Sequence, residues 1–232
     1  MTELRAHTSH EFQAELDAVR DKLLAMGRRV DEVLEAAGRA LVGRDLALGN
    51  AIILADQDTD SMELEIDHLC LETLARRQPV AGDLRFLTSG LKIVVDLERI
   101  GDLGVNIATR VVELGQAPPL VPYEDLLETL TMAREMASGA LEALIDEDAS
   151  RARRIIERDG VVDALSTRIF DEVVSGMRAD PTSVYRATRV QSISRYIERI
   201  ADHAANIAER VIFVLTGEDV RHQPRPRRAG IC

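Results

Sequence analysis

ERIGDLGVNIA at residues 98–108 returns as ERIADHAANIA at residues 198–208, an offset of 100 residues. A second motif, D-x-x-x-D, occurs at residues 56–60 and again at 159–163, an offset of 103 residues. Two elements that recur at nearly the same spacing indicate a duplicated unit rather than a chance match. The sequence therefore predicts that the chain is built from two similar halves.

Prolines and glycines divide each half into long segments with helical periodicity. In the first half these segments predict helices at about residues 8–42, 45–78 and 82–114. Thr8 and Glu11 have the spacing of a capping box at the start of the first helix. In the second half the segments predict helices at about residues 123–146, 149–178 and 181–216. Three long helices with short connections most simply form an up-down-up bundle, so we expect an all-α protein of two tandem three-helix bundles related by internal duplication.

The same breaks predict the domain boundaries. We expect a first bundle at residues 1–115 and a second at residues 123–217. Residues 116–122, within the proline-rich stretch GQAPPLVP, are typical of a linker. Residues 218–232 include the basic, proline-rich sequence RHQPRPRR, and we expect this tail to be disordered.

The composition excludes several classes of protein. Forty acidic residues against 29 Lys and Arg give a formal net charge of −11, which repels a nucleic-acid backbone. Aromatic residues make up 3% of the chain and Trp is absent, so no platform for stacking bases is expected. Hydrophobic content of 46% is enough for a substantial core. Neither general nucleic-acid binding nor a secreted all-β fold fits these numbers.

Cysteine content and the N-terminal sequence bear on location. The two cysteines, Cys70 and Cys232, form neither a disulfide framework nor a complete zinc site, and free thiols suit a reducing cytosol. The first residues lack the apolar segment of a signal peptide, and no apolar run is long enough to span a bilayer. We therefore expect a cytoplasmic protein.

The repeated motif contains a pair of acids that share one helix face. Glu98 and Asp102 are four residues apart, so their like charges destabilise an isolated helix by about 0.2–0.5 kcal/mol unless a cation compensates them. A helical wheel places both carboxylates at the margin of the apolar arc. The same wheel places Arg99 on the solvent face, apart from these acids.

The preceding predicted helix is more strongly acidic on one face. Spacings of 4, 3 and 4 residues place four acids within an arc of about 60° beside Leu64 and Leu71: Asp56, Asp60, Glu63 and Asp67. Burying such carboxylates without partners is unfavourable, so they are either protonated or neutralised by cations. Carboxylate oxygens on facing helices suit magnesium, manganese, calcium and iron, and also zinc with fewer ligands. We favour a multinuclear metal cluster, and a solvated acidic groove is the alternative.

Two further side chains continue the acidic stripe. Asn106 and Asn206 each lie four residues beyond the aspartate of their motif. We expect them to hold a carboxylate by hydrogen bonding rather than to bind metal directly. The sequence contains no phosphate-binding loop, no nucleophile elbow and no dinucleotide-binding motif. A binding or regulatory protein is therefore favoured over an enzyme.

At these residues the chain resembles the PhoU family of phosphate-specific transport system accessory proteins. The resemblance covers nearly the full length. Its motifs are HEFQAELDAVRDKLLAMG at 10–27, LEIDHLCLETLARRQPVAGDLR at 64–85, KIVVDLERIGD at 92–102, SRYIERIADHAANIAERV at 194–211 and GEDVRH at 217–222. The resemblance implies two similar three-helix bundles whose E(D)xxxD motifs hold iron, zinc or other metal ions.

The resemblance also implies one metal site in each bundle. Carried over by position, the first site consists of Asp56, Asp60, Glu98 and Asp102. The second consists of Asp159, Asp163, Glu198 and Asp202. Glu63 and Asp67 have no acidic counterparts in the second half, where Ser166 and Phe170 stand.

The function implied by the resemblance is regulatory. Members of the family repress the phosphate-starvation response by linking the ATPase subunit of the phosphate ABC transporter to a PhoR-type sensor histidine kinase. They are often homodimers, and they reach the membrane through their partners. Two other hypotheses stay open at this point: a metal-cluster protein with redox or hydrolytic activity, and a helical adaptor without metal.

Overall fold

The computed structural model describes residues 2–55, 57–115 and 117–221, with side chains described from residue 10 onward except at residue 57. The described residues contain seven α-helices and one short 3₁₀ turn, and no β-strand. In chain order the helices are α1 (Thr2–Gly43), α2 (Leu46–Leu54), α3 (Gln57–Arg77), α4 (Ala81–Leu114), α5 (Tyr123–Ile145), α6 (Ala149–Ala179) and α7 (Val184–Thr216), with the 3₁₀ turn Pro181–Ser183 before α7. The all-α prediction is confirmed.

The chain divides into two compact units between Ala117 and Pro118. Unit 1 contains α1 to α4, and unit 2 contains α5 to α7. In unit 1, Arg29 pairs with Asp58 and Lys22 with Glu65, so α1 and α3 run antiparallel. This is the up-down part of the predicted bundle.

Helix α4 completes the up-down-up order of unit 1. An ideal Cβ at Gly101 would lie near Thr59, and one at Gly90 would lie near Cys70, which shows that α3 and α4 are antiparallel. The core follows a helical repeat, because α1 contributes buried apolar residues three or four positions apart. These residues are Leu16, Val19, Leu23, Met26, Val30, Leu34 and Ala37.

Unit 2 repeats this arrangement with three helices. Ion pairs between Arg151 and Glu142 and between Arg168 and Asp125 show that α5 and α6 are antiparallel. Helix α7 packs against both α5 and α6. Its buried residues recur at helical spacing, as in Ile193, Ile197, Ile200, Ala204, Ile207 and Val211. The three-helix plan that the internal repeat predicts is therefore formed by α1, α3 and α4 in unit 1, which has α2 in addition, and by α5, α6 and α7 in unit 2.

Several predicted helix ends are confirmed. Gly115 ends α4 with a φ of 58°, and Gly217 ends α7 with a φ of 77°, in the left-handed region that glycine occupies without strain. The Asp148 carboxylate accepts a hydrogen bond from the Arg151 amide and caps α6. Asp180 caps the turn that begins at Pro181.

The predicted single helix over residues 45–78 is wrong, because α2 ends at Leu54 and α3 begins at Gln57. No proline or glycine marks this break, so periodicity alone could not find it. Tertiary packing accounts for it: α2 packs on the end of α4 near Val112, whereas α3 packs further back along α4. The Thr8 capping box is also wrong, since α1 already begins at Thr2.

The leucines beside the acidic stripe of α3 were predicted to face the core, and they face solvent instead. Leu64 and Leu71 are 70% and 56% exposed, so the apolar part of that stripe does not face the core. The residues of α3 that are buried are Thr59, Ile66, Cys70 and Thr73. The helical wheel placed the leucines inside because it took apolar side chains to mark the buried face, whereas the buried residues of α3 lie on a different face of the same helix.

The predicted linker at residues 116–122 and the start of the predicted tail at residues 218–232 both make contacts with the helices of unit 2. In the predicted linker, Val121 is buried and the Pro118 carbonyl accepts a hydrogen bond from Arg186. In the predicted tail, Val220 is buried and Glu218 pairs with Arg153, whereas residues 222–232 lie outside the described residues. No described helix combines the length and the apolar character needed to cross a membrane.

Candidate metal centre

A close approach of two helices builds the candidate site of unit 1. Gly101 of α4 has no side chain where Thr59 of α3 packs, and an added Cβ there would lie 3.3 Å from the Thr59 Cγ2. Thr59 is buried at this contact. The neighbouring residues, Asp60 on the first turn of α3 and Asp102 on α4, are thereby brought to one side of the interface.

Three carboxylates converge at this place. One oxygen from each of Asp60, Glu98 and Asp102 lies within 4.8 Å of the other two. Asp60 is exposed, whereas Glu98 is only 14% exposed. Oxygen atoms at this separation can share a hard or borderline cation, so the donor set fits the metal ions expected from the sequence.

The side chain of Arg99 would compete with a metal ion for these acids. Its Nε lies 3.2 Å from a Glu98 oxygen, and its Nη1 lies 3.6 Å from an Asp102 oxygen. The prediction that Arg99 is exposed is correct, since its side chain is 54% exposed. The prediction that it stays apart from the acids is wrong, because its long side chain reaches back around the helix.

Arg99 does not neutralise the cluster. Burial and the negative charge of Asp102 together raise the pKa of Glu98 to about 7, because the charge of Arg99 only partly opposes these effects. The protonated Glu98 can also donate a hydrogen bond to Asp102. The cluster therefore has a carboxyl group that is ionised incompletely near neutral pH and that a cation would stabilise in its charged form.

Two more acids of α3 extend the cluster. Burial raises the pKa of Glu63, and the charges of Asp67 and Asp60 raise it further. Burial also raises the pKa of Asp67, whose buried Oδ1 accepts no hydrogen bond within the described residues. Both carboxyl groups are in surroundings that disfavour their charged forms, so a cation nearby would stabilise those charged forms.

The candidate acids of unit 2 lie on two helices as well, but in a different environment. Asp159 and Asp163 lie on α6, and Asp159 is only 5% exposed. Glu198 and Asp202 lie on α7, and both are partly buried. Within the described part of the chain, the only three acids whose oxygens converge within 4.8 Å are those of unit 1.

Sequence reasoning missed one residue of unit 2. The Arg195 guanidinium forms an ion pair with Glu198, three residues further along α7. Arg195 donates a hydrogen bond to Glu198, and this bond raises the pKa of Arg195. The negative charges of Glu198, Asp202 and Asp163 raise it further. The signal was available in the sequence, because residues three apart on a helix are neighbours.

Three predicted residues remain: Asn106, Asn206 and Asp56. Asn106 is exposed, and Asn206 is partly buried. Asp56 lies outside the described residues, so the structure does not test its predicted position near Glu98.

Comparison with known proteins supplies a family for this arrangement. The PhoU domain matches the chain twice, over residues 23–111 and 126–211. The chain is 40% identical over 222 residues to the phosphate-specific transport system accessory protein PhoU homolog of Pseudomonas putida. The aligned region covers 94% of this chain and 86% of that protein. It is 39% identical over 222 residues to the homolog of the same name from Pseudomonas aeruginosa, with coverages of 94% and 91%.

Solved structures show the same fold. The crystal structure of PhoU from Pseudomonas aeruginosa superposes with a TM-score of 0.84 at 38% identity, over 89% of this chain and all of that chain (100%). The phosphate transport system regulatory protein PhoU from Streptococcus pneumoniae also gives a TM-score of 0.84, at 31% identity and coverages of 90% and 99%.

Proposed function

The chain belongs to the PhoU family, and on this premise we propose that it regulates phosphate homeostasis as an accessory protein of the phosphate-specific transport system. It is a regulatory accessory protein rather than an enzyme, and in support of this its relatives are named as accessory and regulatory proteins. The observation that carries the proposal is the double match to the PhoU domain across both units.

The proposed mechanism is scaffolding at the cytoplasmic side of the membrane. When phosphate is plentiful, the protein binds the ATPase subunit of the phosphate ABC transporter and a PhoR-type sensor histidine kinase. By holding both, it keeps the phosphate-starvation response switched off. We also propose that the protein is a homodimer, which would present each binding surface twice.

Metal binding is the second part of the proposal. Asp60, Glu98 and Asp102 would hold a divalent or trivalent ion, with Glu63 and Asp67 adding negative charge nearby. Iron, zinc, magnesium and manganese all accept carboxylate oxygens. A bound ion would neutralise the acids and fasten α3 to α4, which would favour one arrangement of the surface that partners contact.

Deletion of the gene tests the regulatory role. In the organism that carries the protein, a reporter driven by a phosphate-starvation promoter should become active in phosphate-rich medium after deletion. Expression of the intact chain should restore repression. A deletion strain that keeps full repression in rich phosphate contradicts the proposal.

A paired substitution tests whether the acid cluster matters for this role. Glu98→Gln with Asp102→Asn keeps the side-chain shapes but removes two metal ligands, so this variant should lose bound metal in elemental analysis and should restore repression poorly. Glu157→Gln with Asp171→Asn neutralises two exposed acids of α6 and should behave like the intact chain. If both double variants restore repression fully, metal binding has no part in regulation.

Partner binding and assembly are tested with purified protein. The intact chain should co-purify with the transporter ATPase subunit and with the sensor kinase, and ultracentrifugation should give the mass of a dimer. Failure to retain either partner at micromolar concentrations contradicts the scaffolding mechanism, and a monomer contradicts the dimer.

A further inference from the structure

We propose that two copies of this chain associate through α3 of one copy and α7 of the other. The inference deepens the homodimer proposed above and rests on it, because it names the surfaces by which the copies meet. Two observations carry it: large apolar side chains that are exposed on α3, and charges of opposite sign along exposed faces of α3 and α7.

Helix α3 exposes two leucines on one side. Leu64 is 70% exposed and Leu71 is 56% exposed, and residues seven apart lie on the same side of a helix. Asp60 and Asp67 alternate with these leucines at spacings of 4, 3 and 4 residues, so the four side chains form one stripe about 16 Å long, which we call the α3 ridge. Within the described residues, no basic side chain forms an ion pair with Asp60 or Asp67. The ridge therefore offers negative charge beside apolar surface.

The charge of the α3 ridge decides what can cover it. Helix α3 carries six acids against two arginines, and Asp58 and Glu65 pair with basic residues of α1 on another side of the helix. A second α3 ridge would place aspartates opposite aspartates, and like charges across an interface are unfavourable. The covering surface is therefore expected to be basic, with apolar or aromatic side chains opposite the leucines.

Helix α7 carries a stripe of this kind. Five aromatic or basic residues follow one another at spacings of 4, 7, 3 and 4 residues, which places them within an arc of about 80°: Tyr185, Arg189, Tyr196, Arg199 and His203. The three acids of α7 lie outside this arc. We call these five residues the α7 stripe, and its charge is opposite to that of the α3 ridge.

The α7 stripe is accessible in the single chain. Tyr185 is 54% exposed, and the guanidinium of Arg189 lies 4.3 Å from the centre of its ring, a cation–π contact that orients both side chains. Arg199 is exposed, and no acid of the described residues pairs with it. Tyrosine and arginine are enriched among the residues that contribute most to protein–protein binding. The stripe therefore has the composition of a binding surface.

The two surfaces complement each other when they belong to different copies. The leucines of the α3 ridge would cover the tyrosines of the α7 stripe, and the aspartates would meet the arginines. The α7 stripe repels a second α7 stripe for the same reason that the ridge repels a second ridge. When each copy offers its ridge to the stripe of the other, the contact forms twice about a two-fold axis, and the assembly closes as a dimer.

Removal of the two leucines tests the apolar part of this contact in the full-length chain. Sedimentation velocity over a concentration series, with a chelator present, gives the dissociation constant of the dimer. Leu64→Asn with Leu71→Asn should raise this constant by about tenfold or more, because the burial of two apolar side chains is lost. Val161→Asn is the matched control, since Val161 is an exposed residue of α6 that belongs to neither surface, and the constant should not change.

Charge reversal tests which surfaces meet. Asp60→Arg with Asp67→Arg makes the α3 ridge basic, and Arg189→Glu with Arg199→Glu makes the α7 stripe acidic. In either variant alone the contact joins like charges, so the dissociation constant should rise by about tenfold or more. In an equimolar mixture every contact between the two variants joins opposite charges again, so a heterodimer should form about as tightly as the intact dimer. Circular dichroism verifies that each variant is folded.

The outcomes separate this inference from the homodimer beneath it. Restored association in the mixture supports the inference, because a misfolded variant would not be rescued by the other. Variants that each dimerise like the intact chain, or a mixture without rescue, overturn the pairing of the two surfaces and leave the homodimer in place. Variants that dimerise normally but no longer retain the ATPase subunit or the kinase also overturn it, and assign the surfaces to that partner. An intact chain that stays monomeric at every concentration overturns the homodimer and the inference with it.

Discussion

Glu98 is the residue of unit 1 at which burial and electrostatic repulsion act together. Its side chain is 14% exposed, Asp102 is one turn away on the same helix, and Asp60 approaches from α3. A single arginine at the edge does not offset this environment, because Arg99 is itself more than half exposed and its charge is screened by water. The free energy of folding therefore depends on the protonation of this one group.

The pH dependence of stability follows from the pKa of Glu98. Burial and the Asp102 charge raise the pKa from 4.5 to about 7, so between these pH values the folded chain holds more protons than the unfolded chain. The free energy of unfolding should therefore fall as the pH rises through this range. In metal-free buffer, Glu98→Gln should raise the free energy of unfolding at pH 8 by about 2 kcal/mol and change it little at pH 4.

Urea denaturation at both pH values, with a chelator present, measures this difference. Glu157→Gln on the exposed face of α6 controls for the loss of one charge and should have little effect at either pH. A Glu98→Gln variant that is less stable than the intact chain at pH 8 would show that the ionised carboxylate is stabilising, contrary to expectation.

At the scale of the helices, the approach of neighbouring helices to α4 depends on small residues. Gly101 faces Thr59 of α3, and Gly104 faces Val33 and Leu34 of α1. Each glycine costs about 1 kcal/mol of helix propensity relative to alanine, so its presence here is compensated by the packing that it allows. The carboxylates of the candidate site converge only because α3 lies this close to α4.

A larger side chain at Gly104 should disrupt the packing of α1 on α4. An ideal Cβ there would lie 2.9 Å from the Val33 Cγ1 and 3.0 Å from the Leu34 Cδ2. Gly104→Val should therefore lower the free energy of unfolding by about 1–3 kcal/mol. Urea denaturation of the full chain measures the change.

Gly160 of α6 offers a matched control for this substitution. No atom lies within 4 Å of an ideal Cβ at that position, so a valine there meets open space. Gly160→Val should leave the free energy of unfolding within about 0.5 kcal/mol of its original value or raise it slightly. If the two variants are equally stable, close packing at Gly104 is not a source of stability.

At the scale of the whole molecule, each unit has its own three-helix order and its own buried core. Such units are expected to unfold as separate cooperative blocks rather than as one. Residues 1–117 and residues 118–232, expressed separately, should each give a helical circular dichroism spectrum and a cooperative thermal transition. A fragment that is unfolded by itself, while its partner is folded, would show that one unit depends on the other.

The sequence by itself determined the helical class, the duplication and most helix ends. Helical periodicity records which face of each helix is buried, and glycine, proline and aspartate mark ends through backbone geometry that is local in the chain. The repeat at residues 98–108 and 198–208 encoded the tandem architecture and the family. These properties depend on residues close together in sequence, so no knowledge of long-range contacts was needed.

Only the tertiary structure decided what depends on contacts between helices. The break between α2 and α3 has no local signal, and the packing of α3 on α1 and α4 decided that Leu64 and Leu71 face away from the core. The convergence of Asp60 on Glu98 requires α3 to pack closely against α4 at Gly101. The pairing of Arg195 with Glu198 is local to α7, but the influence of Asp163 on Arg195 depends on the packing of α6 against α7, because electrostatic effects depend on distance in space rather than on spacing in the chain.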